Sequence, residues 1–386
     1  MTTMIDNKTK PILTDLQLST LATLQVKLNS LGVDGEFLPS VSEGPIVTLY
    51  KFVPKNATRV SLVERVAPDL AVALGAEAVQ VKRLPGEGAV GIYVPNKDKK
   101  LVLFRDCVGA VWDGFHNRQQ RIPVLFGIDY MGKLVVEDLP LMPHLLIAGS
   151  TNSGKSTFIN SILASLIYTV PHDRLKFVLS DVKQVEFTNF VGTPHLLYPI
   201  ATSIADTLEH MEFLIHEINS RLSRLAKVSC QNIAQYNAAE TRAPLPYIVF
   251  VIDELAEILT DKTKEEYVDA DGKIKYRKRG ELAEYRLALI VQKARATGIH
   301  IIAATQRTSV KIVEGNIKAN FPARVSFRLP SEADSRTILG QSGAEQLLSQ
   351  GDMLYISPNT PAIRRLHASL AEVEDIKAAI EVACRR

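Results

Sequence analysis

Gly149, Ser150, Thr151, Asn152, Ser153, Gly154, Lys155 and Ser156, with Thr157 directly after them, have the residue types and spacing of a phosphate grip. They follow the apolar run Leu145 to Ala148 and precede Phe158, Ile159, Ile162, Leu163 and Leu166 at helical spacing. A buried strand that ends in glycines and turns into a helix aims unpaired backbone N–H groups, and the positive end of the helix, at a bound phosphate. Lys155 then reaches the β- and γ-phosphates of a nucleoside triphosphate, and Ser156 holds Mg²⁺. A chance glycine turn would rarely supply both the strand before and the amphipathic helix after.

A second set of chemical residues follows the apolar run Tyr247 to Ile252, which delivers Asp253 and Glu254 at its C-terminal end. Ligands of open α/β sheets bind at that end. Asp253 is placed to hold the water shell of Mg²⁺ and Glu254 to polarise an attacking water, since phosphoryl transfer depends mainly on positioning and charge neutralisation. Either acid alone also suits a helix N-cap. Their pairing after a buried strand, downstream of a phosphate loop, makes ATP hydrolysis the expected reaction. The run Ile299 to Ala304 leads into Thr305, Gln306 and Arg307, and Gln306 is a candidate sensor of the γ-phosphate. Arg295 sits near the end of a predicted helix and has two readings that spacing leaves open. It complements the negative helix end or pairs with a surface acid, or it is an arginine finger for a neighbouring subunit's ATP.

These residues need elements to hold them. Leu175 to Leu179, Tyr247 to Ile252 and Ile299 to Ala304 are nearly continuous β-rich runs, the pattern of parallel strands covered on both faces. With the phosphate-loop strand they imply an α/β core. The stretch 260–285 is rich in charge, carries an Asp271-Gly272 turn signal and the basic run Lys273 to Arg279, and reads as an exposed hairpin or loop inserted in that core. Upstream, Leu13 to Leu31 reads as a helix ending at Gly32, Ile46 to Val53 as a strand, Ser61 to Leu74 as a helix with Ser61 as N-cap and Gly75 as terminator, and Val79 to Val81 as a strand. Pro85, Gly86 and Gly88, then Pro95 to Lys100, mark the expected hinge. The expected division is a polar tail at 1–12, a small α+β domain at 13–98 and a motor domain at 99–386.

Bulk composition narrows the class. At 386 residues and 46% hydrophobic, the chain can bury a large core. A net charge of only +3 means that a polyanionic partner must be met by basic groups concentrated on one surface. Cys107, Cys230 and Cys384 have neither metal-ligand nor disulfide spacing, which fits a reducing compartment and a cytoplasmic location. The first ten residues are polar, and no stretch approaches the ~18 apolar residues of a membrane helix, so no direct membrane insertion is expected.

The chain resembles the FtsK/SpoIIIE DNA translocases. The resemblance rests on PHLLIAGSTNSGKS at 143–156, DVKQVEF at 181–187, TPHLL at 193–197 and VIDELAE at 251–257. It continues in VQKARATGIHIIAATQR at 291–307, IKANFPAR at 317–324, DSRTIL at 334–339 and GDMLY at 351–355, and in the first domain in GPIVTLYKFVP at 44–54 and GIYVPNK at 91–97. It implies a RecA-like P-loop ATPase core, a homo-oligomeric and hexameric ring around double-stranded DNA, and ATP bound at subunit boundaries. By position it implies Lys155 and Ser156 for phosphate and Mg²⁺, Asp253 and Glu254 for metal water and catalysis, Arg295 as the trans finger, and Arg307 and Lys318 as contacts to the DNA backbone. Arg and Lys on loops suit phosphate tracking, which holds register without reading bases.

Three departures qualify these expectations. Glu332 stands where the family often has a lysine, so one DNA contact is missing or reversed. The insertion 260–285 is longer than the family's usual linker. The chain ends at Arg386, soon after the motor, which leaves the expectation of neither a winged-helix module nor a membrane anchor, and of a motor that is non-directional or directed by a partner protein. That outline fits a mobile element, plasmid or phage-related motor. The alternative reading is an FtsK-like ATPase of a secretion or conjugation system, which moves protein or acts as a coupling ATPase.

Overall fold

The computed structural model describes residues 13–55, 58–84, 86–117, 120–239, 241–268, 274–308, 318 and 320–386. The tail at 1–12, Pro85 and the Asp271-Gly272 turn named above lie outside the described residues. The chain divides into two compact units, one of residues up to Lys100 with Tyr130–Lys133, the other of Leu101–Asp129 and Leu134–Arg386.

In the first unit, α1 (Asp15–Ser30) is opened by a capping box from Thr14 and Gln17, an arrangement that satisfies two backbone donors at once. Then come β1 (Gly35–Glu43), β2 (Val47–Pro54), α2 (Val60–Arg65), α3 (Ala67–Leu74), β3 (Gln80–Leu84) and β4 (Ala89–Pro95). The strands form an antiparallel sheet in the order β1-β2-β4-β3. Leu24, Leu28, Phe52, Leu70 and Ile92 fill the core between helices and sheet. Two expectations are corrected here. The helix over 61–74 is two helices broken at Val66, and its entry is capped by no side chain because Arg59, not Ser61, holds the N-cap position. Gly86 and Gly88 lie in the tight β3–β4 connection, both at positive φ, and so serve a turn inside this unit instead of a hinge.

The second unit runs α4 (Phe104–His116), β5 (Pro123–Asp129), β6 (Leu134–Asp138), β7 (His144–Ala148), α5 (Lys155–Thr169), β8 (Leu175–Ser180), α6 (Ile204–Lys227), α7 (Ile233–Asn237), β9 (Tyr247–Ile252) and α8 (Leu255–Leu259). It continues with β10 (Lys264–Val268), β11 (Ile274–Lys278), α9 (Arg279–Thr297), β12 (Ile299–Thr305), β13 (Ala323–Ser326), α10 (Glu332–Leu339), β14 (Asp352–Ser357), β15 (Thr360–His367) and α11 (Val373–Cys384). The inserted segment does form an antiparallel hairpin, β10 with β11, while its last residues already belong to α9.

Among the described residues the main sheet has nine strands in the order β6-β5-β15-β14-β13-β7-β12-β9-β8. Its five-stranded half, β13-β7-β12-β9-β8, is the parallel sheet expected from the apolar runs. The other four strands are antiparallel and extend it from β13 outward. Alternation explains the unbroken hydrophobicity of the runs. Leu145 and Ile147 of β7, Val249 and Val251 of β9 face a core shared with Phe158, Ile162 and Leu166 of α5. Leu146, Ile248 and Phe250 face the opposite core, with Leu208, Met211 and Leu214 of α6 and Leu287 and Ile290 of α9. With helices on both sides, both faces of these strands are lined mainly by apolar residues.

Candidate functional site

Strand β7 ends at Ala148 in the interior of the sheet, and the chain must turn sharply to enter α5. Asn152 at φ 61° and Gly154 at φ 108° make that turn. A side chain at Gly154 would also bring its Cβ to 2.7 Å from the Gly351 nitrogen. The loop is braced from three strands. Gly149 N–H donates to Thr305 O (3.2 Å) at the end of β12, Ser150 donates through N–H (3.0 Å) and Oγ (2.9 Å) to Arg328 O beyond β13, and Gly351 N–H, just before β14, donates to Ser153 O (3.1 Å). The N-terminus of α5 has no side-chain cap, so its first amides are available to an anion. Ser153 Oγ is buried within the same loop without a partner.

Lys155, Asp253 and Glu254 are brought together by β7, β9 and β12, whose C-terminal ends align in parallel register. Lys155 Nζ donates to Asp253 Oδ1 (2.8 Å) and to the Asp253 carbonyl (3.0 Å), both side chains being 3% exposed. Glu254 occupies the N-cap position of α8 yet makes no cap bond. Its carboxylate instead accepts from Thr305 Oγ1 (2.8 Å) and from Gln306 N–H (3.1 Å to Oε2), and Lys183 Nζ lies 3.5 Å away. The helix-cap alternative for Glu254 is therefore not what its side chain does. Gln306 Oε1 in turn accepts from Thr151 Oγ1 (3.3 Å), which links the end of β12 to the phosphate loop.

Ser156, in the first turn of α5, donates its hydroxyl to Glu186 Oε1 (2.6 Å). Glu186 belongs to a turn after β8 that sequence reasoning quoted as a motif without assigning it a role. Asp181 builds that turn by accepting from the N–H groups of Glu186 and Phe187 (both 2.9 Å), and Gln184 adopts φ 57° within it. The turn thus contributes Lys183 beside Glu254 and Glu186 beside Ser156. The donor set offered at this edge, hydroxyl and carboxylate oxygens beside an uncapped helix end and a buried lysine, fits a polyphosphate together with a hard divalent cation.

The remaining expected residues lie elsewhere. Arg295 is exposed in the last turn of α9, which ends at Gly298 with φ 72°. It is close enough to the starts of β7 and β12 for its charge to be felt by His144 and His300. The seven residues of β12 span about 20 Å at the usual rise, so Arg295 lies at the opposite edge of the sheet from the phosphate loop. Both histidines are held neutral: burial first, then neighbouring positive charge, lowers His144 to about 3, and burial lowers His300 to about 4. Arg307 is exposed just beyond the C-terminal end of β12, at the phosphate-loop edge. Lys318 Nζ donates to the Arg336 carbonyl (3.3 Å), and Glu332 accepts from Arg336 Nε (3.0 Å) and Nη2 (2.6 Å). The acid at the unusual position thus faces an arginine of its own helix. No helix among the described residues is long and apolar enough to cross a membrane.

Comparison with known proteins agrees with this geometry. The sequence pattern of the FtsK/SpoIIIE family matches residues 112–310, just over half of the chain, and that of the FtsK alpha domain matches residues 5–96. Among similar proteins, the DNA translocase FtsK of Rickettsia prowazekii (strain Madrid E) is 34% identical over 381 residues, covering 90% of this chain and 48% of the relative. That of Helicobacter pylori (strain J99 / ATCC 700824) is 36% identical over 359 residues, covering 92% of this chain and 40% of the relative. The chain therefore spans less than half the length of these relatives. Among solved structures, the pCW3 conjugation coupling protein TcpA, with ATPγS, shares the fold at TM-score 0.62 and 22% identity, covering 95% of this chain and 100% of that one. The cytoplasmic domain of the Thermomonospora curvata type VII secretion ATPase EccC does so at TM-score 0.56 and 22% identity, covering 68% and 31%. The phosphate loop, the paired acids after β9 and the match over more than half of its length show that this chain belongs to the FtsK/SpoIIIE family, with a P-loop ATPase core behind a small α+β unit.

Proposed function

We infer that the chain is an ATP-driven translocase that moves double-stranded DNA by gripping its phosphate backbone, and that it works as a homohexameric ring. The observation that carries the reading is the convergence of Lys155, Ser156, Asp253 and Glu254 at one sheet edge, with the exposed Arg307 emerging from the same edge. Gly149 to Thr157 cradle the triphosphate, and Lys155 takes its β- and γ-oxygens. Ser156 and Asp253 would hold Mg²⁺, which when bound would supply charge neutralisation at those oxygens.

Glu254 orients the attacking water as a carboxylate held by Thr305 and the Gln306 amide. Gln306 touches both Glu254 through its backbone and Thr151 through its side chain, so a change at the γ-phosphate is felt at Arg307, the next residue. Arg295 cannot serve its own chain's nucleotide from the far edge of the sheet. Exposed there, it suits a finger offered to the ATP of an adjacent subunit, where such a group is worth about 10³-fold or more in rate. Arg307 and Lys318 contact DNA phosphates without reading bases.

The deciding experiment is ATP turnover with and without linear duplex DNA across a salt series. Stimulation that falls steeply as salt rises is expected from backbone tracking. Turnover indifferent to duplex at every salt concentration would remove DNA from the proposal and leave the protein-moving or coupling ATPase in its place.

A further inference from the structure

The turn after β8 reaches the cation side of the nucleotide site through one side chain. Ser156 Oγ donates to Glu186 Oε1 at 2.6 Å, the length of a charge-assisted O–H···O⁻ bond. Asp253, the acid that sequence reasoning placed at the metal, has its Oδ1 engaged by Lys155 at 2.8 Å. A serine hydroxyl has one proton and two acceptor lone pairs. If the proton points toward the cation position, the hydroxyl repels a cation; if a carboxylate on the far side takes the proton, the lone pairs are left for it.

We propose that Glu186 is a positioning residue for Mg²⁺: its carboxylate draws the Ser156 proton away from the cation position, and its charge adds to the pull on the ion. The proposal rests on the reading of Ser156 as the metal-holding hydroxyl. Glu186 is well fixed for the task. Its own N–H and that of Phe187 are held by the Asp181 carboxylate at 2.9 Å, the Gln184 N–H returns to the Asp181 carbonyl at 3.0 Å, and the Phe187 side chain is fully buried. The carboxylate is thus presented by a turn with its own internal bonding.

The competing account is that Glu186 merely ties the turn to α5. The two differ in what depends on Mg²⁺. A staple supports the pocket with or without the ion, whereas an outer partner of a metal ligand acts only when the ion is bound, at typically about 10- to 100-fold in metal affinity.

The test uses the full chain and a fluorescent, non-hydrolysable ATP analogue, titrated first in EDTA and then with Mg²⁺ at fixed analogue. Glu186→Ala is expected to raise the Mg²⁺ midpoint by about tenfold or more while binding in EDTA stays within about twofold of the parent. A midpoint shift below about threefold, or an equal weakening in EDTA, overturns the proposal. Glu186→Gln keeps the turn filled and carries the same test should the alanine variant not fold: it retains an acceptor oxygen but no charge, and a shift of about threefold or more is expected. Ser156→Ala is the control that separates the two levels. If it leaves the Mg²⁺ midpoint unchanged, the cation site itself has been misplaced; if it shifts the midpoint and neither Glu186 variant does, only the role of Glu186 fails.

Discussion

Asp253→Asn removes the charge that faces Lys155 while leaving the shape and the Asp253 carbonyl in place. The Nζ to Oδ1 distance is 2.8 Å with both side chains 3% exposed, so at an effective dielectric of about 20 the attraction lost is roughly 6 kcal/mol before desolvation is considered. Removing one partner of a buried pair typically costs about 3–5 kcal/mol net, because the other charge is left unpaired. The carbonyl at 3.0 Å remains, which places the expected cost at about 3 kcal/mol, a fall in Tm of about 5–10 °C for a unit of this size. Thermal and urea unfolding without nucleotide measure it. Lys155→Met should cost a similar amount by stranding the carboxylate, and the double variant should be less destabilised than the sum of the two by about 2–3 kcal/mol. ATP added without Mg²⁺ should restore part of the stability of Asp253→Asn, since the triphosphate brings negative charge to the stranded ammonium. Additivity of the two substitutions within about 0.5 kcal/mol, or an Asp253→Asn protein that melts within about 1 °C of the parent, would refute the idea that the two charges hold one another.

Two further outcomes are expected. Arg295→Ala should lose about 10³-fold in turnover with ATP binding retained, and mixing it with Lys155→Ala subunits should recover part of the activity; no recovery at any mixing ratio removes the trans arrangement. Stability should fall as pH drops from 7 to 5. His144, His300 and His195 have folded values of about 3, 4 and 4, set first by burial, so the unfolded chain takes up protons below about 6.5 before the native one does. Their stabilisation is complete above that pH, and at pH 5 the loss is about 2 kcal/mol per histidine. Urea midpoints that do not change between pH 7 and 5 contradict it.

The parts legible in sequence were those written in short-range pattern. β7, β9 and β12 are nearly continuous apolar runs because both of their faces are covered, and the glycines, Lys155 and Ser156 follow one of them directly. Asp253 and Glu254 could be placed at a strand end by position alone. The strands β5, β6 and β13 to β15 were less visible, since they are short or carry polar residues such as Arg324 and Arg365 that the alternation rules do not mark as sheet. The contacts of the site were less legible again. Lys183 and Glu186 sit in a polar turn with no periodicity, and their proximity to Glu254 and Ser156 follows only once β8 lies at the edge of the sheet beyond β9. The split of the second helix at Val66 shows the same limit, for Ser61 is a good cap by residue type but lies one residue inside the helix that forms.

The bracing of the phosphate loop bears on what counts as the smallest working piece of this nucleotide site. The stretch matched by the family pattern stops at residue 310, yet the floor of the loop is laid by the Arg328 carbonyl and by Gly351, whose nitrogen would lie 2.7 Å from a Cβ added at Gly154. A fragment cut at the pattern's end would keep Lys155, Ser156, Asp253 and Glu254 and still lose the surface against which the loop is moulded. The segments just after β13 and just before β14 thus act as a keystone for a loop nearly two hundred residues earlier in the chain.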